Sequence, residues 1–220
     1  PMNELDLEAA PAAPLAEILR PKTLDDVVGQ AQLFGPQGRL RLMLAHGSLG
    51  SIIFWGPPGT GKTTIARLLA DAADMAFEPI SAVFDGVGEL RKVFDRAAQR
   101  RLQGQRTLLF VDEVHRFNKA QQDGLLPRVE DGTVTLVGAT TENPSFALNG
   151  ALLSRAQVLV LDRLDRAALE AILSRLEAHI GRDLPIDDDA RTALLGMADG
   201  DGRYLLNMAS LLVEIPTMTR

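Results

Sequence analysis

Short apolar runs punctuated by glycine and proline alternate with stretches whose apolar residues recur every three or four positions. The first run is Ile52–Trp55, and Thr64–Ala70 follows it with helical spacing. Phe77–Ile80 reads as a second strand, and Pro79 marks it as an edge because proline has no N–H to give to a ladder. Residues 87–102 form an amphipathic helix with Leu90, Val93, Phe94 and Ala97 on its apolar side. Thr107–Val111 suits the middle of a parallel sheet, whose strands are covered on both faces. A helix over 119–130 ends at Asp131-Gly132, Thr133–Gly138 is a fourth strand, and Val158–Leu161 a fifth, with a short helix near 146–153 between them. Strands separated by helical patterns predict a doubly wound α/β fold with a five-stranded parallel sheet.

Upstream, Pro14–Pro36 is irregular, with Thr23 capping a short turn through Val27 and Val28, and a helix over Arg39–Ala45 leads into the first strand. From Asp165 onward the spacing is helical throughout. Three helices are predicted, over 165–180, 188–198 and 202–214, separated by Gly181–Pro185 and Asp199–Gly202. The expected organisation is an N-terminal segment (1–35), an α/β core (36–163) and a small all-helical lid (164–220).

The connection between the first strand and its helix carries the chemistry. Gly56-Pro57-Pro58-Gly59-Thr60-Gly61-Lys62-Thr63 is a complete G-x-x-x-x-G-K-[ST] loop in the strand–loop–helix setting that such a loop requires. Its glycines let the backbone wrap a phosphate, and successive N–H groups at the helix N-terminus point at the anion. Lys62 is placed to reach the β- and γ-phosphates, and the Thr63 hydroxyl to bind Mg²⁺. A nucleoside triphosphate is the expected ligand.

Composition narrows the setting. The 220 residues, 46% of them hydrophobic, suffice for one full α/β core and a small second module. The absence of cysteine removes disulfides, zinc knuckles and thiol nucleophiles. No apolar run approaches the roughly 20 residues that cross a bilayer, so no membrane association and a cytoplasmic location are expected. A net charge of −6 argues against a general polyanion binder and leaves room for a local basic surface. Lys92, Arg96, Arg100 and Arg101, opposite the apolar stripe of the 87–102 helix, form either a phosphate-tracking face or a solvated face with acidic partners such as Asp95. Pro1 ahead of Met2 reads as a remnant before a native start, and the chain is expected to be the N-terminal part of a longer protein.

The third strand runs directly into Asp112-Glu113, at the sheet edge where open α/β folds bind ligands. Asp112 would hold Mg²⁺ through its water shell, and Glu113 would orient and deprotonate the attacking water. With the glycine loop, Leu108–Glu113 resembles the Walker A and Walker B pair of AAA+ ATPases. That resemblance implies further roles. In Gly138–Thr141, Thr141 rather than Thr140 takes the sensor-1 position; Arg155 of Ser154-Arg155-Ala156 is the arginine finger, with Ala156 in place of the usual cysteine; Arg203 is sensor 2. Arg155 could instead pair with a surface carboxylate, and Arg203 could brace its helix.

The blocks Asp112–Asp123, Pro127–Gly132, Gly138–Phe146 and Ala151–Arg155 resemble the RarA (MgsA) family of clamp-loader-like AAA+ ATPases. The opening Pro14–Gln30 is similar to that family's nucleotide-base box, which implies base contacts by Val28, Gly29 and Gln30 and phosphate contacts from Gly56 through Thr64. Gly124, Gly202 and Tyr204 depart from the family pattern. Membership implies a DNA-stimulated, Mg²⁺-dependent ATPase of fork maintenance, recombination and repair. It also implies single-stranded, gapped or forked DNA and single-stranded DNA-binding protein as partners, and a homo-tetramer in the full-length protein. Two other functions compete: a Holliday-junction branch-migration motor, which should carry a β-hairpin insertion, and a non-hydrolysing clamp-loader-like scaffold, which should lack motif residues. His115 is either a relay to Glu113 or structural.

Overall fold

The computed structural model describes residues 14–215, so Pro1, Met2 and the segment after Ile215 lie outside it. In chain order the elements are α1 (Leu15–Ile18), α2 (Ala31–Phe34), α3 (Arg39–Ala45), β1 (Ile52–Trp55), α4 (Lys62–Ala72), β2 (Met75–Ser81), α5 (Val87–Leu102) and β3 (Arg106–Asp112). There follow α6 (Lys119–Glu130), β4 (Thr135–Thr140), α7 (Pro144–Ala147), α8 (Gly150–Leu153), β5 (Gln157–Val160), α9 (Arg166–Ile180), α10 (Asp188–Ala198) and α11 (Gly202–Val213). Short 3₁₀ turns cover Leu24–Asp26 and Val114–Arg116.

The strands form one parallel sheet in the order β2-β3-β4-β1-β5. Alternate side chains enter different cores. Ile52, Phe54, Leu108 and Phe110 pack on one face with Ile65 and Leu69 of α4. Ile53, Leu109 and Val111 pack on the other with Leu125 and Leu152. Helices cover both faces, so the central strands are continuously apolar instead of alternating. β2, with its proline, lies at an edge.

α9, α10 and α11 enclose a third core built from Leu169, Leu173, Leu176, Leu195 and Leu205. Each helix opens on an aspartate that accepts a backbone N–H three residues on: Asp165 from Ala168, Asp187 from Ala190 and Asp201 from Tyr204. Leu19 of the N-terminal segment joins this core, with Leu15, Ala16 and Val28 packed against it, whereas Leu24 and Val27 pack against the sheet's core. The segment therefore wedges between sheet and helices.

Several boundaries differ from the sequence expectation. β4 begins at Thr135, not Thr133, because the Asp131 carboxylate accepts both the N–H and the hydroxyl of Thr133 at 2.8 and 2.6 Å and holds it in a turn. At its other end the strand runs past the expected Gly138 to Thr140. The helix expected over 146–153 is two, divided at Leu148, whose extended backbone (φ −118°) interrupts them. β5 starts one residue earlier, at Gln157.

The basic face of α5 is largely committed within the fold. Arg96 grips Glu78 of β2 through two bonds of 2.9 and 2.8 Å, and Arg100 adds a third of 2.7 Å. Lys92 pairs with Glu89. The phosphate-tracking alternative loses its central residues to this internal network. Arg96, and then Arg100, hold the Glu78 carboxyl below its ordinary range despite burial, which acts the other way. A depressed folded-state value contributes stability above the unfolded value near 4.5, lost as pH falls through the folded one. Glu78→Gln is expected to lower unfolding free energy at pH 7 by on the order of 1–2 kcal/mol and to flatten the acid limb of stability below about pH 4.5. Denaturant titrations at pH 7 and pH 3.5 check both effects.

Candidate functional site

Gly56–Thr63 leaves the end of β1 and delivers α4, which begins at Lys62, toward the carboxyl edge of the sheet. Gly59 and Gly61 have φ of 71° and 98°, backbone that L side chains rarely adopt. Gly59 is crowded as well: a Cβ there would collide with the Asp201 carboxylate at the start of α11. Gly202 N–H donates to the Gly59 carbonyl at 2.9 Å, so the last helix sits directly on the loop. The Lys62 ammonium is buried and donates to the Gly56 and Pro57 carbonyls at 2.7 and 2.6 Å. Burial pushes its pKa below the usual lysine value, and the nearby Asp112 and Glu113 carboxylates oppose that shift.

Two adjoining hollows share this loop as a wall. One is polar, with Lys62, Thr63, Asp112, Glu113 and Thr141 on its sides. The other is mainly apolar, with Leu19, Val27, Val28, Ile172 and Leu206 facing Gly59–Gly61. Arg20 and Arg203 line both. An apolar slot joined through a glycine loop to a basic and acidic cleft matches the two halves of a nucleotide.

Asp112 ends β3, and one of its oxygens accepts the Glu113 N–H at 3.1 Å. Its other oxygen and the Thr63 hydroxyl make no hydrogen bond among the described residues. Two hard oxygen donors at the phosphate end of a cleft fit Mg²⁺, which keeps most of its waters and takes few protein ligands. Glu113 has left-handed backbone (φ 53°), which turns its carboxylate back toward the cleft edge, where His115 Nε2 lies 3.1 Å from it. Thr140 is fully buried, with its hydroxyl bonded to His115 Nδ1 at 2.9 Å. Thr141 is the residue that lines the cleft.

The other predicted residues divide. Arg203 sits in the first turn of α11 and borders both hollows. Arg155 does not line the cleft of its own chain; it bonds Ala151 O at 2.8 Å and pairs with Glu130 of α6 at 2.5 Å. Of the expected base contacts, Val28 lines the apolar slot, but Gly29 and Gln30 do not. Gln30 is buried and exchanges two hydrogen bonds with the Asp162 backbone, at 2.7 and 3.0 Å, tying the N-terminal segment to the chain after β5. Gly29 lies against Leu164 and Ala168. Gly56 and Pro57 shape the loop from beneath; Pro58, Gly59, Thr60, Gly61, Thr63 and Thr64 face the hollows. Sequence reasoning missed Arg20, whose only local signal is a cation ahead of Pro21, and Arg175 and Ile172, which reach the slot from α9.

The pattern of the family described as "ATPase family associated with various cellular activities (AAA)" matches residues 52–168. The chain is 45% identical over 216 residues to replication-associated recombination protein A of Escherichia coli K12, covering 96% of this chain and 48% of that protein. It is 48% identical over 206 residues to the protein of the same name from Coxiella burnetii, with 91% and 46% covered. It is 42% identical over 206 residues to the ATPase WRNIP1 of Dictyostelium discoideum, with 92% and 24% covered. The chain thus spans about half the length of the bacterial relatives it matches. Among solved structures, the Thermotoga maritima RuvB Holliday junction branch migration motor superposes with a TM-score of 0.70 at 29% identity, covering 87% of this chain and 64% of that one.

Proposed function

We propose, for a chain that belongs to the AAA family of ATPases and within it to the replication-associated recombination protein A family, Mg²⁺-dependent hydrolysis of ATP to ADP and phosphate coupled to rearrangement of DNA. The observation that carries this is the convergence of Lys62, Thr63, Asp112, Glu113, Thr141 and Arg203 on one cleft beside an apolar slot. Adenine enters the slot against Val28, Ile172 and Leu206. The phosphates lie along the loop, where Lys62 exchanges its two carbonyl partners for phosphate oxygens. Thr63 and Asp112 would hold Mg²⁺, which supplies charge neutralisation of the phosphate oxygens. Glu113 takes a proton from a water whose oxygen bonds to the γ-phosphorus, and the bond to the β–γ bridging oxygen breaks with its electrons leaving on ADP. Thr141 and Arg203, which both line the cleft, donate to the γ-phosphate. Arg155, directed away from its own cleft, serves the ATP of a neighbouring copy, so the working form is a homo-oligomer, a tetramer in the full-length protein.

The relatives' name supports replication and recombination as the setting; fork maintenance and repair, single-stranded, gapped or forked DNA and single-stranded DNA-binding protein as partners, and the nucleoid-bearing cytoplasm as the location are proposed on the motif resemblance alone. No helix among the described residues is long and apolar enough to cross a membrane. The RuvB likeness favours a branch-migration motor less, because the chain between β2 and β3 holds α5 and no hairpin among the described residues. A scaffold that has lost hydrolysis is disfavoured by the full set of motif side chains.

Phosphate release from ATP and GTP, measured with Mg²⁺ or EDTA and with each DNA form in turn, tests the assignment. Release specific to ATP, Mg²⁺-dependent and raised by DNA is expected. Nucleotide bound but never hydrolysed, under any of these conditions, would leave the scaffold in its place.

A further inference from the structure

Behind the cleft, Thr140, His115 and Glu113 are linked end to end, although they come from β4, the 3₁₀ turn and the end of β3. The direction of each bond follows from what surrounds it. Thr140 Oγ1 accepts the Glu142 N–H at 3.0 Å, and its own proton has two acceptors in reach, His115 Nδ1 at 2.9 Å and the Glu142 carbonyl at 3.3 Å, of which His115 is the nearer. With Nδ1 accepting, the ring proton is on Nε2, facing the Glu113 carboxylate at 3.1 Å. The opposite tautomer would set a nitrogen lone pair against a carboxylate oxygen. The imidazole is only 5% exposed, and Thr140 is fully buried, so neither partner is held by solvent. The Glu142 carboxylate is a second neighbour of Nε2, but it is farther, at 3.7 Å, and mostly exposed.

We propose that His115 is a positioning residue that holds Glu113 through the chain Thr140 O–H···Nδ1 and Nε2–H···Oε2, and so couples the water-activating carboxylate to the end of β4. The inference rests on the hydrolase assignment above and deepens it. Glu113 needs an external hold, because its left-handed backbone places it past the end of the strand with no ladder to fix it. Thr140 is anchored in the strand, yet its next residue, Thr141, faces the phosphates. A shift of Thr141 toward a γ-phosphate moves the Thr140 hydroxyl, and through the imidazole it moves Glu113. The carboxylate is thereby aimed according to what occupies the γ-phosphate position.

The test compares replacements that keep different ends of the chain. A glutamine amide N–H stands near the place of Nε2, and an asparagine amide near that of Nδ1. His115→Gln therefore keeps the bond to Glu113, whereas His115→Asn keeps only the one to Thr140. Turnover is measured beside affinity for a non-hydrolysed ATP analogue. His115→Asn and His115→Ala are expected to lower kcat by on the order of 10- to 100-fold, the scale of a misplaced reacting group, with analogue affinity held. His115→Gln cuts the same link to Thr140 as Thr140→Val and keeps the hold on Glu113, so the two should lower kcat alike and by less than His115→Asn, and His115→Ala should cost little further in a Glu113→Gln background. Thr140→Val cuts the chain from its other end with the imidazole intact, should the His115 variants not fold, and is expected to lower kcat in the same sense. Equal loss in the Asn and Gln variants, a loss confined to analogue affinity, or an unchanged rate in Thr140→Val would overturn the proposal. A wild-type chain without turnover would instead remove the hydrolase assignment on which it rests.

Discussion

Arg155→Ala is expected to lower ATP turnover by about 10³-fold or more while leaving nucleotide affinity unchanged, the size of effect that a finger supplied in trans carries in comparable triphosphatases. The geometry explains the split. Arg155 is absent from the cleft of its own chain and is held by Glu130 and the Ala151 carbonyl, so its loss removes nothing that touches the bound nucleotide. The Glu130 pair is partly exposed on both sides, and such pairs are worth only about 0–1 kcal/mol, so a neighbour's phosphate can draw the guanidinium away at small cost. Wild-type specific activity should therefore rise with protein concentration, and the Arg155 variant should show no rise. Turnover measured over a concentration series checks this; a flat wild-type curve together with an unaffected variant would place every catalytic group in one chain.

Lys62→Ala and Glu113→Gln are expected to fail in opposite ways. As the proposed charge partner of the phosphates, Lys62 would contribute charge-assisted hydrogen bonds of roughly 1.5–3 kcal/mol, which set the expected loss of ATP affinity at about 10- to 100-fold. The figure belongs at the lower end, because Lys62 must first give up two short bonds to Gly56 and Pro57. Glu113→Gln keeps shape and removes the base, so binding is retained and turnover falls by about 10²- to 10⁴-fold. Nucleotide titration and phosphate release on both variants separate the two; normal hydrolysis by Glu113→Gln would end its assignment as base.

Much of this was legible along the chain, for reasons that lie in particular residues. The central strands were found because both faces are buried, which makes Leu108–Val111 continuously apolar. The glycine loop and Asp112-Glu113 were legible because each is a run of residues adjacent in sequence, and the fold brings the two runs to one cleft. Thr141 was preferred to Thr140 as the last residue before the turn, and it is Thr141 that lines the cleft while Thr140 is buried. What escaped was assembled across distance. Arg20 lines the cleft along with Arg203 only because the N-terminal segment wedges between the sheet and the α9–α11 helices, and no spacing encodes that. Gln30 was expected near the base from the resemblance of Pro14–Gln30 to the family's base box; its side chain bonds to the Asp162 backbone, 132 residues away, which no local pattern encodes. For the α5 arginines the sequence offered Asp95 of the same helix as an acidic partner, whereas Glu78, which takes Arg96 and Arg100, lies on a different element. His115 stayed ambiguous for the same reason: its partner Thr140 is 25 residues on.

Hydrolysis completed between two copies of the chain is tested most directly by mixing Glu113→Gln with Arg155→Ala and measuring phosphate release. Each variant alone is nearly inactive, since every interface lacks either the base or the finger. In a random equal mixture, about a quarter of the interfaces join an intact Glu113 from one chain to an intact Arg155 from its neighbour, and activity should return toward that fraction of wild type. A mixture that stays as inactive as its parts, although the two proteins co-assemble, would contradict a site shared between chains.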